Sequence, residues 1–293
     1  MNRHSEKVNF IWSIADLLRG DYKQSEYGRV ILPFTVLRRL DCVLEDTKQE
    51  VLEKKQELED MGIEDLDPIL NRTAGYNFHN SSRFDFQELL SEQGYIKKNL
   101  IHYINGFSEN AREILDYFNF EVHINRLDEA DLLFLIVQRF SEVDIHPDTV
   151  SNKQMGDIFE ELIRKFSEQS NETAGEHFTP REVIRLMVNL MFDQDDDVLQ
   201  KEGIVRTIYD PACGTGGMLT IADDYLDKLN KDATLKMFGQ ELNPESYAIC
   251  KSDMLIKGED VDNIKYGNSF TNDQLKSEKF DYMLSNPPFG VSW

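Results

Sequence analysis

The chain has 293 residues, which is enough for two domains or for one large domain with an ample hydrophobic core. With 40% hydrophobic and 29% charged residues, its composition is that of a soluble globular protein and excludes a disordered chain. No apolar run is long enough to span a membrane, and the N-terminal residues lack the apolar segment of a signal peptide. We therefore expect a cytoplasmic protein with no membrane partner.

Charge and metal-binding residue types narrow the classes further. The formal net charge of −22 disfavours a chain that holds a polyanion unaided, because such proteins usually present a basic face. A basic partner subunit is the simplest source of the missing positive charge, although an acidic surface also serves solubility. Cys42, Cys213 and Cys250 show no CxxC spacing, and none of the six histidines recurs at ligand spacing. We predict neither a disulfide framework nor a metal site.

The first half of the chain, residues 1–165, is predicted to be an all-helical domain. Apolar residues recur at helical spacing in residues 8–18, 25–44, 86–103, 111–118, 131–140 and 152–166. We expect the second of these helices to be broken or kinked at Pro33. The turn-rich residues 71–82 predict a surface loop, and the almost continuously apolar residues 131–140 predict the buried centre of the domain.

After residue 165 the pattern changes, because strand and helix signals alternate. Short β-rich runs cover residues 205–209, 237–239, 264–267 and 280–285, and helical periodicity covers residues 183–191, 218–229 and 245–255. This βαβα order predicts a doubly wound, mostly parallel sheet in residues 166–293. Ligands of such a sheet bind at the carboxyl ends of its strands.

The fourth β-rich run ends in Asn286-Pro287-Pro288-Phe289. Two adjacent prolines fix φ twice and remove two backbone donors, so the strand must end here in a stiff turn. The turn presents an amide side chain, a proline carbonyl and an aromatic ring, which together suit a planar molecule that carries an exocyclic amine. An ordinary Pro-Pro turn after a buried strand is the alternative interpretation.

A second candidate site follows the first β-rich run, as Asp210-Pro-Ala-Cys-Gly214-Thr215-Gly216-Gly217. Glycines between a strand and a helix let backbone N–H groups approach a nucleotide that a Cβ would repel. The turn lacks the GxGxxG order of dinucleotide folds and the Gly-Lys-Ser/Thr ending of a P-loop. Bound phosphate is therefore not expected.

This turn resembles the S-adenosylmethionine turn of class I methyltransferases. The resemblance implies that Glu241, after the second strand, accepts hydrogen bonds from the ribose hydroxyls and that Asn268, after the third, lies near the adenine amine. Residues 176–181 resemble the Phe-Thr-Pro loop that closes over the methionine end of the cofactor in adenine-methylating enzymes. The cofactor-binding residues assigned in this way are Glu176, His177, Phe178, Thr179, Pro180, Arg181, Asp210, Gly214, Thr215, Gly216, Gly217, Glu241 and Asn268.

Asn286-Pro287-Pro288-Phe289 is similar to the catalytic motif of the enzymes that methylate amino groups of nucleic-acid bases, and the order of the pieces is that of adenine N6-methyltransferases. The resemblance implies that Asn286 Oδ1 and the Pro287 carbonyl accept the two hydrogens of adenine N6. Pro288 would stiffen the turn, and Phe289 would stack on the adenine after it is flipped from the duplex. These four residues are the predicted catalytic residues.

Residues 11–20, 27–40 and 175–181 resemble the modification subunits of type I restriction-modification systems, and this resemblance covers the whole chain. It implies a subunit that methylates double-stranded DNA while a separate specificity subunit reads the bases. A second copy of the chain and a restriction subunit are further partners that it implies. Such subunits continue well past Asn-Pro-Pro-Phe, so we expect a truncated chain whose sheet is incomplete at its C-terminus.

Two other functions stay open on the sequence. Asn-Pro-Pro-aromatic turns also serve methyltransferases of RNA or of a glutamine amide, although the long helical half and Phe289 favour DNA adenine. Alternatively, the chain is an interaction module that binds a partner subunit through its helical half and is inactive as a fragment.

Overall fold

The computed structural model describes residues 3–170 and 179–287. The chain forms two compact units, of which the first comprises Met1–Asn171 with Leu255–Gly258 and the second comprises Glu172–Met254 with Glu259–Trp293. Helices pack on helices in the first unit, whereas helices pack against a sheet in the second. In the described ranges, no helix combines the length and the hydropathy needed to cross a lipid bilayer.

The first unit is built around its second helix. Its α-helices are α1 (Arg3–Ile14), α2 (Tyr27–Leu44), α3 (Lys48–Asp60), α4 (Asp67–Ala74), α5 (Ile96–Asn105), α6 (Glu109–Tyr117), α7 (Phe120–Glu129), α8 (Leu133–Ser141) and α9 (Asn152–Ser170). Its 3-10 turns are Ala15–Leu18, Gln24–Glu26, Glu45–Thr47, Glu88–Leu90 and Gln93–Tyr95. The ring of Phe34 on α2 meets that of Phe120 edge-on at 4.8 Å and stacks on that of Phe140 at 5.2 Å between centroids. This aromatic cluster fastens α7 and α8 to α2.

Of the break or kink expected at Pro33, the break is wrong, because α2 continues through the proline from Tyr27 to Leu44; the kink stays a prediction. The apolar residues on either side of it, Leu32 and Phe34, are buried. Their packing outweighs the one backbone hydrogen bond that a proline removes.

The expected surface loop at residues 71–82 is also wrong. Its first four residues close α4, and His79, Asn80 and Ser82 are buried. Asn80 Nδ2 donates to the Tyr103 carbonyl at 3.0 Å, and Asn80 Oδ1 accepts from the Ser82 amide at 2.8 Å. Polar side chains that satisfy backbone groups and one another can therefore be buried, and turn-rich composition alone does not reveal this.

The second unit contains the predicted alternation of strands and helices. Its elements are α10 (Arg181–Asp193), α11 (Asp196–Leu199), β1 (Val205–Asp210), α12 (Gly217–Leu229), β2 (Thr234–Glu241), α13 (Pro244–Lys257), a 3-10 turn (Val261–Asn263), β3 (Ile264–Tyr266) and β4 (Tyr282–Met283). The strands lie in the order β3-β2-β1-β4, and every pair is parallel. This confirms the predicted architecture, a helical domain followed by a doubly wound parallel sheet, although β4 is shorter than the predicted run.

The parallel arrangement brings the ends of all four strands to one edge. β1 pairs with β2 from Val205↔Thr234 to Asp210↔Gly239, and with β4 at Ile208↔Tyr282 and Tyr209↔Met283. The turns after β1, β2, β3 and β4, which carry the predicted site residues, therefore leave the sheet side by side.

Candidate functional site

The glycine turn after β1 is held in place by short backbone contacts. The Cys213 amide donates to the Gln240 carbonyl of β2 at 3.1 Å, and the Gly216 amide donates back to the Cys213 carbonyl at 2.8 Å. Gly214 and Gly216 have φ of 54° and 84°, values that L side chains rarely adopt. The turn therefore requires glycine at these two positions on conformational grounds alone.

The two glycines differ in their surroundings. A Cβ on Gly216 would lie 2.8 Å from Cys250 Sγ, so α12 begins with its backbone in close contact with α13. A Cβ on Gly214 would meet nothing within 4 Å, so open space adjoins the turn at that residue. Gly216 thus lets two elements pack together, whereas Gly214 faces space that a ligand could fill.

Glu241 ends β2 and reaches across to the glycine turn. Its Oε2 accepts from the Gly214 amide at 2.8 Å, and its Oε1 accepts from the Asn243 amide at 2.7 Å. Each carboxylate oxygen can accept two hydrogen bonds, so both keep capacity for a further donor. Glu241 is half-buried, fixed in orientation and next to the open space at Gly214, as a residue that binds two neighbouring hydroxyl groups would need to be.

Asp210 is the buried member of this group. It is 1% exposed, and its Oδ1 accepts from the Ala212 amide at 3.0 Å. Burial raises the pKa of this carboxyl to about 7, an effect that the Ala212 amide and the Ser285 hydroxyl reduce and the nearby Glu241 carboxylate increases. Asp210 therefore shapes the turn from beneath and carries a proton at mildly acid pH.

The loop after β3 is tied to the same edge of the sheet. Ser269 Oγ donates to the Pro211 carbonyl at 2.5 Å, and the Gly267 amide donates to the Glu241 carbonyl at 2.9 Å. Asn268 Oδ1 accepts from the Phe270 and Thr271 amides at 2.9 and 3.2 Å, so the Asn268 side chain shapes its own turn.

Asn286 follows β4 and meets the loop that precedes α10. Its Nδ2 donates to Thr179 Oγ1 at 2.9 Å. The Leu284 amide donates to the Tyr209 carbonyl at 3.1 Å, which fixes the chain just before Asn286 beside the last residues of β1. Asn286 is half-buried and Pro287 is exposed. The structure thus joins Thr179 and Asn286, which belong to two segments that the sequence predicted separately.

The beginning of α10 positions Thr179. The Pro180 carbonyl accepts from the Val183 and Ile184 amides at 2.9 and 3.1 Å, so the first turn of the helix begins directly after Thr179. Pro180 and Arg181 are in this way part of the helix start.

The predicted site residues divide into two groups. Those at one edge of the sheet are Thr179, Pro180, Arg181, Asp210, Gly214, Thr215, Gly216, Gly217, Glu241, Asn268, Asn286 and Pro287. Of these, Gly214 with Glu241 and Thr179 with Asn286 are joined by hydrogen bonds between members of the set. The predictions for Glu176, His177, Phe178, Pro288 and Phe289 lie outside the described residues.

Three residues of this edge were not found from the sequence. Gln240 is fully buried and holds the loop after β3, since its Nε2 donates to the Asn272 carbonyl at 2.8 Å. Leu242 and Phe270, directly after Glu241 and two residues after Asn268, are 56% and 67% exposed. Large apolar side chains exposed beside polar ligand-binding groups are typical of a pocket for a flat ring. The sequence could have indicated Leu242 and Phe270, because they follow Glu241 and Asn268 by one and two residues.

The arrangement suits the binding and orientation of ligands at adjacent strand ends. Glu241 offers oriented carboxylate oxygens beside an open glycine turn, and Asn286 and Pro287 offer neutral acceptors one strand away from Asp210. Neutral acceptors bind the hydrogens of an amine without removing a proton from it. Such an arrangement suits chemistry in which two ligands are held side by side, and positioning of this kind can lower a reaction barrier considerably.

Comparison with known families and proteins follows the same division of the chain. Residues 7–140 match the HsdM N-terminal domain family, and residues 150–293 match the N-6 DNA methylase family. The chain is 28% identical over 98% of its length to the type I restriction enzyme MjaIX methylase subunit of Methanocaldococcus jannaschii, and 32% identical over 57% of its length to the EcoEI methylase subunit of Escherichia coli. It spans 51% of the first relative and 33% of the second.

Among solved structures, the chain is similar to the type I restriction-modification system methyltransferase subunit from Streptococcus thermophilus. The TM-score is 0.72 at 21% identity, and the match covers 99% of this chain and 64% of that one. At this identity the similarity establishes the shared fold.

Proposed function

The chain belongs to the family of type I restriction enzyme methylase subunits, and from this premise we propose that it transfers a methyl group from S-adenosylmethionine to N6 of adenine in DNA. Residues 166–293 are assigned to the methyltransferase domain and residues 1–165 to the helical domain. The observation that carries the proposal is the Leu284–Tyr209 hydrogen bond of 3.1 Å, because it brings the turn of Asn286 beside the glycine turn after Asp210.

The residues present fit S-adenosylmethionine. The open space at Gly214 leaves room for the cofactor beside the glycine turn. The two spare acceptor positions of Glu241 suit the ribose hydroxyls, and the exposed side chains of Leu242 and Phe270 suit the purine ring. Glu241 would hold the ribose hydroxyls, and the loop of Thr179 to Arg181 would lie at the methionine end. When bound, this cofactor supplies an electrophilic methyl group on a sulfonium.

Asn286 and Pro287 would act on the target base. The lone pair of adenine N6 is delocalised into the ring, so the amine is a poor nucleophile. Asn286 Oδ1 and the Pro287 carbonyl would accept its two hydrogens and favour a pyramidal nitrogen whose lone pair faces the methyl group. Phe289 would stack on the flipped base and offset part of an unstacking cost of about a few kcal/mol.

The partners follow from charge and family. A chain with a formal net charge of −22 needs positive charge from elsewhere to hold double-stranded DNA. We assign this contribution to a separate specificity subunit that also reads the bases, in a cytoplasmic assembly with a second copy of the chain and with a restriction subunit as a further component.

The proposal is tested by cofactor titration and by product analysis. Calorimetry should show S-adenosylmethionine binding to wild type and weakened binding to Glu241→Ala. Glu202→Ala, an exposed carboxylate before β1, should bind as wild type does. The assembled enzyme should form N6-methyladenine in duplex DNA when incubated with labelled cofactor and with DNA, RNA or protein. Label only in RNA or protein, or no label in any of the three, would contradict the proposal.

A further inference from the structure

The side chain of Asn286 has two chemically opposite ends. Its Oδ1 only accepts hydrogen bonds and its Nδ2 only donates them, and the two ends exchange places when the amide rotates by half a turn. The amine of a target base offers two hydrogens and needs acceptors. With the amide reversed, two N–H groups would face each other and the interaction would be repulsive.

Thr179 Oγ1 lies at the Nδ2 end of this amide, 2.9 Å away. A hydroxyl oxygen can accept the N–H and satisfy it. The Oδ1 end then remains for a ligand. A hydroxyl can also donate, but in this structure it is Nδ2 that lies on Thr179 Oγ1, which is the orientation that leaves Oδ1 to the ligand.

Packing holds the two residues together. Thr179 lies two residues before α10, and the far end of α10 is fastened to β4. The ring of Phe192 meets that of Tyr282 edge-on at 5.0 Å, and the Tyr282 hydroxyl donates to Asp195 Oδ2 at 2.7 Å. Asn286 follows Tyr282 by four residues, so α10 and β4 are connected near both ends of the helix.

We propose that Thr179 is a positioning residue for methyl transfer: its hydroxyl accepts from Asn286 Nδ2 and thereby turns Asn286 Oδ1 toward the amine of the target base. The inference rests on the proposed function. It gives Thr179 a role toward the substrate-binding amide that is separate from the cofactor role implied by the loop in which it lies.

Thr179→Val tests this role, because valine keeps the shape of threonine and removes the hydroxyl. In the assembled methyltransferase, kcat at saturating S-adenosylmethionine should fall about tenfold, the equivalent of one ordinary hydrogen bond. The Kd for the cofactor, measured by calorimetry, should stay within about twofold of wild type, a difference below half of that same bond. Thr179→Ser should restore kcat. Thr234→Val, which removes an exposed hydroxyl at the opposite end of β2, is the matched control and should leave both quantities unchanged.

The possible results separate this inference from the proposed function. If wild type forms no N6-methyladenine, the proposed function fails. If wild type methylates and Thr179→Val keeps its kcat, or if the variant loses cofactor affinity while its kcat is preserved, only the positioning role is overturned. A serine variant as slow as the valine variant would also overturn it, because the hydroxyl would then not be the group that matters.

Discussion

The two units of this protein bury their charged side chains in different ways. In the helical unit, Asp41 accepts from Arg38 Nη1 at 2.5 Å and from the Tyr103 hydroxyl at 2.6 Å. Lys48 Nζ donates to Asn80 Oδ1 at 3.0 Å and to a backbone carbonyl at 2.9 Å, and burial lowers its pKa to about 8. Each of these partners lies within the helical unit, so the cluster is separate from the strand ends that carry the predicted site residues.

In the sheet unit, Glu241 and Asn286 are half-buried and keep unused acceptor capacity. Among the described residues, each oxygen of Glu241 accepts one backbone N–H, and Thr179 engages the donor end of the Asn286 amide. The comparison teaches that a perturbed pKa or a buried charge does not by itself identify a functional site. Spare acceptors at adjacent strand ends are the better indicator, and the predictions below test that distinction.

The largest expected effect is on catalysis in the sheet unit. Asn286→Ala should lower kcat of methyl transfer by about a hundredfold to a thousandfold, the usual cost of removing one positioned group from a site. Cofactor Kd should be unchanged, because Asn286 is not among the residues assigned to the cofactor. Asn189→Ala, an exposed asparagine on α10, is the control and should retain full activity. Near-normal methylation by Asn286→Ala would remove Asn286 from the mechanism.

In the helical unit, the corresponding change should affect stability instead. Asp41→Ala leaves the Arg38 guanidinium and the Tyr103 hydroxyl buried without their acceptor, so the free energy of unfolding should fall by about 3–5 kcal/mol. Urea unfolding followed by circular dichroism measures this. The matched control is Asp16→Ala, which breaks the exposed 2.7 Å pair with Arg19 and should leave the unfolding midpoint unchanged. Equal effects of the two variants would show that the buried cluster contributes nothing special.

Much of the sheet unit could be predicted from sequence, because strand and helix signals alternate and each strand ends in a recognisable turn. The predicted positions of Glu241 and Asn286 at strand ends agree with the structure, in which Glu241 is the last residue of β2 and Asn286 follows β4 by three residues. The bond from the Gly214 amide to Glu241 and the bond from Asn286 to Thr179 could not be predicted. They depend on side-chain directions across strands that are far apart in the chain, and periodicity carries no information on those.

The helical unit was predicted less well for a related reason. Helix α2 passes through Pro33, and Asn80 is buried, because tertiary packing and side-chain hydrogen bonds override local propensity there. A sequence pattern indicates the free-energy cost of a proline within a helix or of a buried polar residue. It does not indicate the tertiary contacts that offset this cost.

The pH dependence of stability offers a test within the sheet unit. Because the pKa of Asp210 is raised to about 7 in the folded protein, the folded state holds this proton more tightly than the unfolded chain does. Stability from this group is fully present below pH ~4, the unfolded pKa, and is lost as pH rises to about 7; its upper limit is about 4 kcal/mol. Asp210→Asn keeps an acceptor for the Ala212 amide and does not titrate. The difference in unfolding free energy between wild type and Asp210→Asn should therefore change with pH between about 4 and 7 and be constant above that range. A difference independent of pH throughout would mean that Asp210 is ionised normally.

The smallest effect separates backbone strain from crowding at the glycine turn. Gly203 and Gly216 both have positive φ, 67° and 84°, but a Cβ on Gly203 meets nothing within 4 Å whereas one on Gly216 lies 2.8 Å from Cys250 Sγ. Gly203→Ala should cost about 1–2 kcal/mol of unfolding free energy from conformation alone. Gly216→Ala should cost about 1–3 kcal/mol more, because either α12 or α13 must shift, and it should also weaken cofactor binding. Adding Cys250→Ala to Gly216→Ala makes room for the new methyl group and should reduce the excess cost while leaving the conformational part. If the double variant loses at least as much free energy of unfolding as the two single variants lose together, the contact with Cys250 is not what requires glycine at this position.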